Sequence, residues 1–178
     1  MQNALLPPLL LQLLFPPLPS LKADSTLDLA VKMGLISVTA KGNGGHNGPC
    51  VTLRLANLSN RALHTTIPPG WLLQNSDTEA QDLMVVDRVP VELAPHAERT
   101  VVCQAYCVES ADRAPAEGVP FLSLGMAPMA WVKLAEHLQQ NKVEGSNAQA
   151  AVWAVANDHD IAAIDPAASI LRKFVADL

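Results

Sequence analysis

The chain has 178 residues, a net charge of −5 and a hydrophobic content of 49%. That is enough apolar material for one sizeable core and too much for a disordered chain. The 12 Lys and Arg residues are scattered and only 4% of residues are aromatic. The basic footprint and the base-stacking platform of a nucleic-acid binder are therefore both missing, and no nucleic-acid partner is expected.

Taken in chain order, residues 1–15 are apolar and Leu-rich, and the run ends near Ala23. A short apolar stretch closed by a small residue has the form of a signal peptide over 1–23. Pro7, Pro8, Pro16 and Pro17 interrupt it and no Lys or Arg precedes it, so an unstructured leader is the alternative. A spanning helix needs about 20 unbroken apolar residues. The expectation is a secreted or cell-surface protein with no stable membrane insertion once the leader is removed. Residues 24–178 then form a single domain.

From Leu27 to Val108 the pattern alternates with period two. Leu27, Leu29, Val31 and Met33 read as a strand, continued or paired by Ile36, Val38 and Ala40. Lys41 to Pro49 holds four glycines and reads as a loop. Val51, Leu53 and Leu55 alternate again. Asn57-Leu58-Ser59 is a turn signal that also matches a glycosylation acceptor. Leu63 to Ile67, Trp71 to Leu73, Leu83 to Val86, Val89 to Leu93 and Arg99 to Val108 complete the set. Short strands punctuated by turns predict an antiparallel β-sandwich of seven or eight strands over 24–110.

After Pro120 the period lengthens, so 111–178 reads as mostly helical. Met129, Val132, Ala135 and Leu138 fit one helix. Ser146 is a candidate N-cap for a second, apolar nearly all round, that runs to Asn157 and should be buried. Asp165-Pro166 resembles the start of a third. The expected fold is mainly β with C-terminal helices: an antiparallel β-sandwich plus an α-helical segment.

Three cysteines are present. Cys103 and Cys107 lie four apart on one strand, so their Cα atoms are roughly 13 Å apart at about 3.3 Å per residue. A disulfide requires less than about 7 Å, so they do not bond each other. Cys50 opens a strand and is the candidate to pair with Cys103 across the sandwich. Three buried, inert thiols are the alternative.

Two segments stand out together, Ala105-Tyr106-Cys107-Val108-Glu109 and Ala148-Gln149-Ala150-Ala151-Val152-Trp153. The pair resembles the thioester domains of bacterial surface adhesins, which carry a Tyr-Cys strand and a Gln-x-Ala-(Ile/Val)-Trp helix start. The resemblance implies that the Cys107 sulfur and the Gln149 side-chain carbonyl form an internal thioester, shielded by Tyr106 and Trp153. It also implies covalent attachment to an amine on a target surface protein, with no cofactor and no catalytic turnover. The other reading of the same residues is local. Ser146 and Gln149 fit a capping box, and Cys107 and Trp153 fit a core, which leaves a structural or protein-interaction module.

The five histidines show no metal-binding spacing, so no metal site is expected. His159 lies in the polar link Asn157-Asp158-His159-Asp160. A third reading, a hydrolase using Cys107, would need a histidine partner, for which His64 and His96 are candidates. No Gly-x-Ser-x-Gly elbow and no phosphate-cradling glycine motif is present.

Overall fold

The computed structural model describes residues 25–178, and the leader expected over 1–23 lies outside them. Two residues, Ser25–Thr26 (β1), lead into a short helix, Leu27–Lys32 (α1). Eight strands follow: Ile36–Asn43 (β2), Asn47–Asn57 (β3), Leu63–Ile67 (β4), Trp71–Asn75 (β5), Leu83–Val85 (β6), Val89–Leu93 (β7), Glu98–Cys107 (β8) and Glu117–Met126 (β9). The chain ends in helices Met129–Asn141 (α2), Gly145–Asn157 (α3) and Ser169–Ala176 (α4), with one 3-10 turn at Ile161–Ala163.

The mainly β class with C-terminal helices holds, but the sandwich does not. Strands β2-β3-β8-β6-β5-β9 close into a six-stranded barrel, and β1-β4-β7 form a separate three-stranded sheet. Closure depends on β9, which pairs with β2 on one edge and β5 on the other. It falls in the stretch expected to be mostly helical, so the barrel extends past residue 110 to Met126. Its sequence hides it. Phe121 is buried while Leu122, Leu124 and Met126 are exposed. Gly118, Pro120 and Gly125 break the alternation, and the register shifts opposite Leu72 and Leu73. A strand with apolar residues on its solvent side gives no period-two signal.

The first expected strand is a helix. Leu27 and Ala30, three apart, are its buried pair. Leu29 and Met33, which would share a strand face with Leu27, are 45% and 38% exposed. The chain leaves α1 through a Schellman turn. Leu35 N–H donates to Ala30 O at 3.0 Å and Gly34 N–H to Val31 O at 2.9 Å, with Gly34 at φ 66°. A left-handed residue at this point is where glycine has least strain.

Two apolar clusters result. The first fills the barrel and runs on into the small sheet, joining Leu53, Leu55 and Leu73 to Ile67, Val91 and Leu93. The second lies between the barrel wall and the helices and joins Met84, Tyr106 and Val108 to Leu134, Leu138, Val152 and Leu171. Strand β8 serves both. Cys103, Ala105 and Cys107 belong to the first cluster, and Tyr106, with Val108 just past the strand end, to the second. Gly70 marks how close α2 approaches. It sits at φ +83°, and a Cβ there would lie 2.9 Å from Val132 Cγ2.

At Asn57 the turn holds, and burial speaks against the formal glycosylation match. Asn57 is 2% exposed, and its Nδ2 donates to Arg61 O, Leu93 O and Ala94 O. Its Oδ1 accepts from Ser59 N–H and Oγ. A carboxamide held this way ties the end of β3 to the end of β7, and a glycan would have to break those bonds.

Candidate functional site

The glycine-rich stretch expected as a loop is mostly strand. Strand β2 runs to Asn43 and β3 begins at Asn47, which leaves only Gly44 to His46 as the tip. Gly44 and Gly45 both have φ 84°, which lets the hairpin turn tightly. The tip carries the His46 carbonyl to Cys107 N–H at 3.0 Å. Cys107 is the last residue of β8, where the strand meets the helical layer.

Helix α3 supplies the partner. Its N-cap is Glu144 with no side-chain capping bond, so the Ser146–Gln149 capping box does not form. The Gln149 side chain instead reaches Cys107, 42 residues away: its Nε2 donates to Cys107 O at 2.8 Å. Its Oε1 accepts from Cys107 N–H at 3.3 Å. Gln149 is 2% exposed and Cys107 is fully buried. The two residues singled out by the sequence motifs thus lie side by side, with the carboxamide paired to the cysteine main chain.

Bonds just beyond Cys107 fix the joint. Glu109 Oε2 accepts from Asp82 N–H at 2.9 Å. Ser110 N–H donates to Asn157 Oδ1 at 3.0 Å, and Ser110 Oγ lies 2.8 Å from His159 Nε2. The start of α3 and its end are both tied to the end of β8. The polar link at His159, expected as an exposed helix connection, is exposed and is also one of these ties.

Tyr106 and Trp153 occupy different places. Tyr106 faces the helical cluster, on the side of β8 opposite Cys107. Burial pushes its phenol up to about 12, while the Gly145 backbone N–H, bonding the oxygen, acts the other way. It anchors the start of α3. Trp153 is one helical turn beyond Gln149, and the two line one cavity of about 330 Å³. His46 and His159 line the same cavity. The His46 ring stacks on Trp153 at 6.4 Å between centroids, and the His159 ring lies tilted at 6.0 Å.

All three cysteines are free, buried thiols. Cys50 and Cys103 do not face each other across a sandwich but sit on the hydrogen-bonded neighbours β3 and β8. The Cys50 thiol donates to Ala105 O at 3.3 Å. Loss of solvation raises every thiol, Cys50 to about 11 and Cys103 to about 12. Cys107 is raised too, by burial first and then by Cys50 and Glu109 beside it.

The histidines weighed as hydrolase partners are elsewhere. His64 is exposed on β4, 3.7 Å from Glu92. His96 sits in the β7–β8 turn with Nε2 2.6 Å from Asn60 Oδ1. Neither bonds Cys107. The histidines that do reach the site, His46 and His159, come from a hairpin tip and a helix link, and their spacing in the chain carried no signal of it. Among the described residues no group of three or more His, Cys, Asp or Glu could hold a metal ion. Among them, too, no helix is long and apolar enough to cross a membrane.

Searches against known proteins return no relative: no family model matches the chain, and neither a curated protein nor a solved structure is significantly similar to it.

Proposed function

We propose that this chain is an exported binding domain that stores an acyl electrophile as a Cys107–Gln149 thioester and transfers it once to an amine on a target surface protein. The observation that carries the reading is the buried pairing of the Gln149 carboxamide with Cys107. In the forming step the Cys107 sulfur bonds to the Gln149 side-chain carbon. The carbon–nitrogen bond breaks, and nitrogen leaves as ammonia with the thiol proton. In the attachment step an amine nitrogen bonds to that carbon and the carbon–sulfur bond breaks. The amine proton returns to sulfur, leaving an isopeptide-type amide and a free Cys107.

Two features favour this chemistry. The Cys107 N–H, bonded to His46 O at 3.0 Å, also reaches Gln149 Oε1 at 3.3 Å, where negative charge develops when the carbonyl is attacked. The pair is screened from water, the competing nucleophile. Burial also raises the thiol, which slows its departure as a leaving group and equally disfavours the thiolate that attacks Gln149.

A second reading rests on the same bonds. Both polar atoms of Gln149 are satisfied by the Cys107 main chain, and Cys107 belongs to the barrel cluster. Gln149 would then be a clamp between β8 and α3 in an interaction module. The intact mass of the non-reduced protein, with and without Cys107→Ala, separates the two. A wild-type mass short by one ammonia, recovered as a methylamine adduct and lost in the variant, is the expected result. A wild-type mass equal to that of the sequence, with Gln149 intact, removes the thioester and leaves the clamp.

A further inference from the structure

The cavity beside Gln149 has polar walls that carry neither acid nor base. His46, Asn47, Ser146, Gln149, Trp153 and His159 line it with two alanines, and no Asp, Glu, Lys or Arg does. Its volume of about 330 Å³ lies near the lower end of small-molecule pockets, which span about 300–1,000 Å³. His46, Ser146 and His159 are exposed, so a guest can enter from solvent. Gln149 spends its carboxamide on the Cys107 main chain. The His46 and His159 rings lie against the Trp153 indole, so what Trp153 has left to offer is its N–H. That N–H is buried and has no hydrogen-bond partner. Buried donors are rarely left unpaired in folded proteins, because the lost hydration is not repaid, and an acceptor entering the cavity would satisfy this one. A hydroxyl, an amide and two imidazoles stand around it, groups that together both donate and accept.

We propose that this cavity binds a neutral polyhydroxylated ring, the chemistry of one sugar unit of a glycan. A charged guest would give up hydration and meet no acidic or basic side chain to replace it. An apolar guest would leave the Trp153 N–H and its polar neighbours unpaired. A pyranose brings oxygen acceptors for the Trp153 N–H, and hydroxyls that both donate to and accept from Asn47, Ser146 and the imidazoles. The site goes beyond the thioester reading and does not rest on it, since no bond between Cys107 and Gln149 is needed for binding.

The wild-type protein is titrated with the methyl glycosides of glucose, galactose and N-acetylglucosamine. The indole N–H signal of Trp153, identified by its absence in Trp153→Phe, is followed by NMR. The expected result is a saturable downfield shift with at least one glycoside, half-complete in the millimolar range that a few hydrogen bonds support. Cyclohexylmethanol, of similar size but with a single hydroxyl, should bind about 10-fold more weakly or not at all. Trp153→Phe keeps a ring and loses the donor. It should weaken glycoside binding roughly 3- to 10-fold, the worth of one hydrogen bond, read from the ring signals of His46 and His159. Asn47→Ala, with the same expected weakening, serves if that variant does not fold. No saturable shift with any of the three glycosides, equal binding of cyclohexylmethanol, or unchanged affinity in the variant overturns the proposal. An intact mass that removes the thioester leaves this titration to decide the cavity, and a failed titration leaves the mass result as it stands.

Discussion

The barrel interior and the helical layer are built on the two faces of one strand, and they differ in what they tolerate. The inner face of β8 packs against apolar partners in the barrel cluster, where Leu53, Leu55 and Leu73 are fully buried. The outer side meets helices whose cluster is ringed by polar ties: Gln149 on Cys107, Ser110 on Asn157 and His159, and Arg88 on Glu136. A closed barrel satisfies its backbone within itself, so its interior is mostly apolar, with Asn75 a buried polar side chain on the same side of β5 as Trp71 and Leu73. A helical layer laid on a barrel wall leaves strand ends and helix ends at the seam, and those groups need partners. The seam is where buried polar chemistry becomes available, and the Cys107–Gln149 pair lies there.

The largest expected effect tests whether the two regions are one cooperative unit. Leu53→Ala in the barrel and Leu134→Ala in the helical layer should each destabilise the protein by about 2–5 kcal/mol. Urea unfolding followed by far-UV and near-UV circular dichroism should show coincident transitions in both variants. Separate transitions in Leu134→Ala would mean that the helices unfold from an intact barrel.

Gln149→Ala tests the seam itself. It removes two buried hydrogen bonds while Cys107 N–H keeps His46 O. A loss of about 1–3 kcal/mol is expected, and amide exchange should quicken at Cys107 and at the start of α3. An unchanged stability and exchange pattern would show that the amide pairing contributes nothing to docking the helix.

A smaller effect depends on pH. The His137 ring stacks on Phe174 of α4 at 3.9 Å between centroids, and burial lowers its pKa from the usual 6.5. The unfolded state therefore takes up a proton more readily than the folded one. Stability is full above about pH 6.5 and declines as pH falls through that value towards the folded pKa. His137→Gln should flatten this part of the urea-midpoint profile between about pH 7.5 and 5.5. A profile of the same slope in the variant would assign the dependence to other groups.

The smallest effect is expected at the surface. Arg88 and Glu136 bridge barrel and α2 at 3.1 Å with both side chains substantially exposed. Glu136→Ala should cost no more than about 1 kcal/mol, and the difference should shrink at about 1 M salt. A larger loss in thermal unfolding would mean that this pair docks the helix more than the apolar contacts beneath it.

Several elements were legible because burial wrote itself into the local pattern. Strands β4 and β7 and helix α2 lie where alternation or a 3.6-residue period points, since each has one buried side, and β8 is legible although its last three residues are buried on both faces. Helix α1 is not legible as a helix because six residues are too few to separate the two periods. The start of α3 differs from the expected Ser146 cap because Gln149, at capping spacing from Ser146, bonds the Cys107 main chain instead. Cys107 and Gln149 were legible only as motifs. Nothing local places residues 42 apart within hydrogen-bond distance.

By itself the sequence determined a mainly β chain ending in helices, three cysteines that include two unable to pair along one strand, and the two motifs that single out Cys107 and Gln149. Those follow from side-chain period, chain geometry and chemical type, which are properties of short segments. Tertiary structure decided the rest. Barrel closure depends on β9 meeting two distant strands at once, and the cavity beside Gln149 depends on a hairpin tip and a helix link converging on Trp153. Such convergence is a property of how whole elements pack, and no local pattern encodes it.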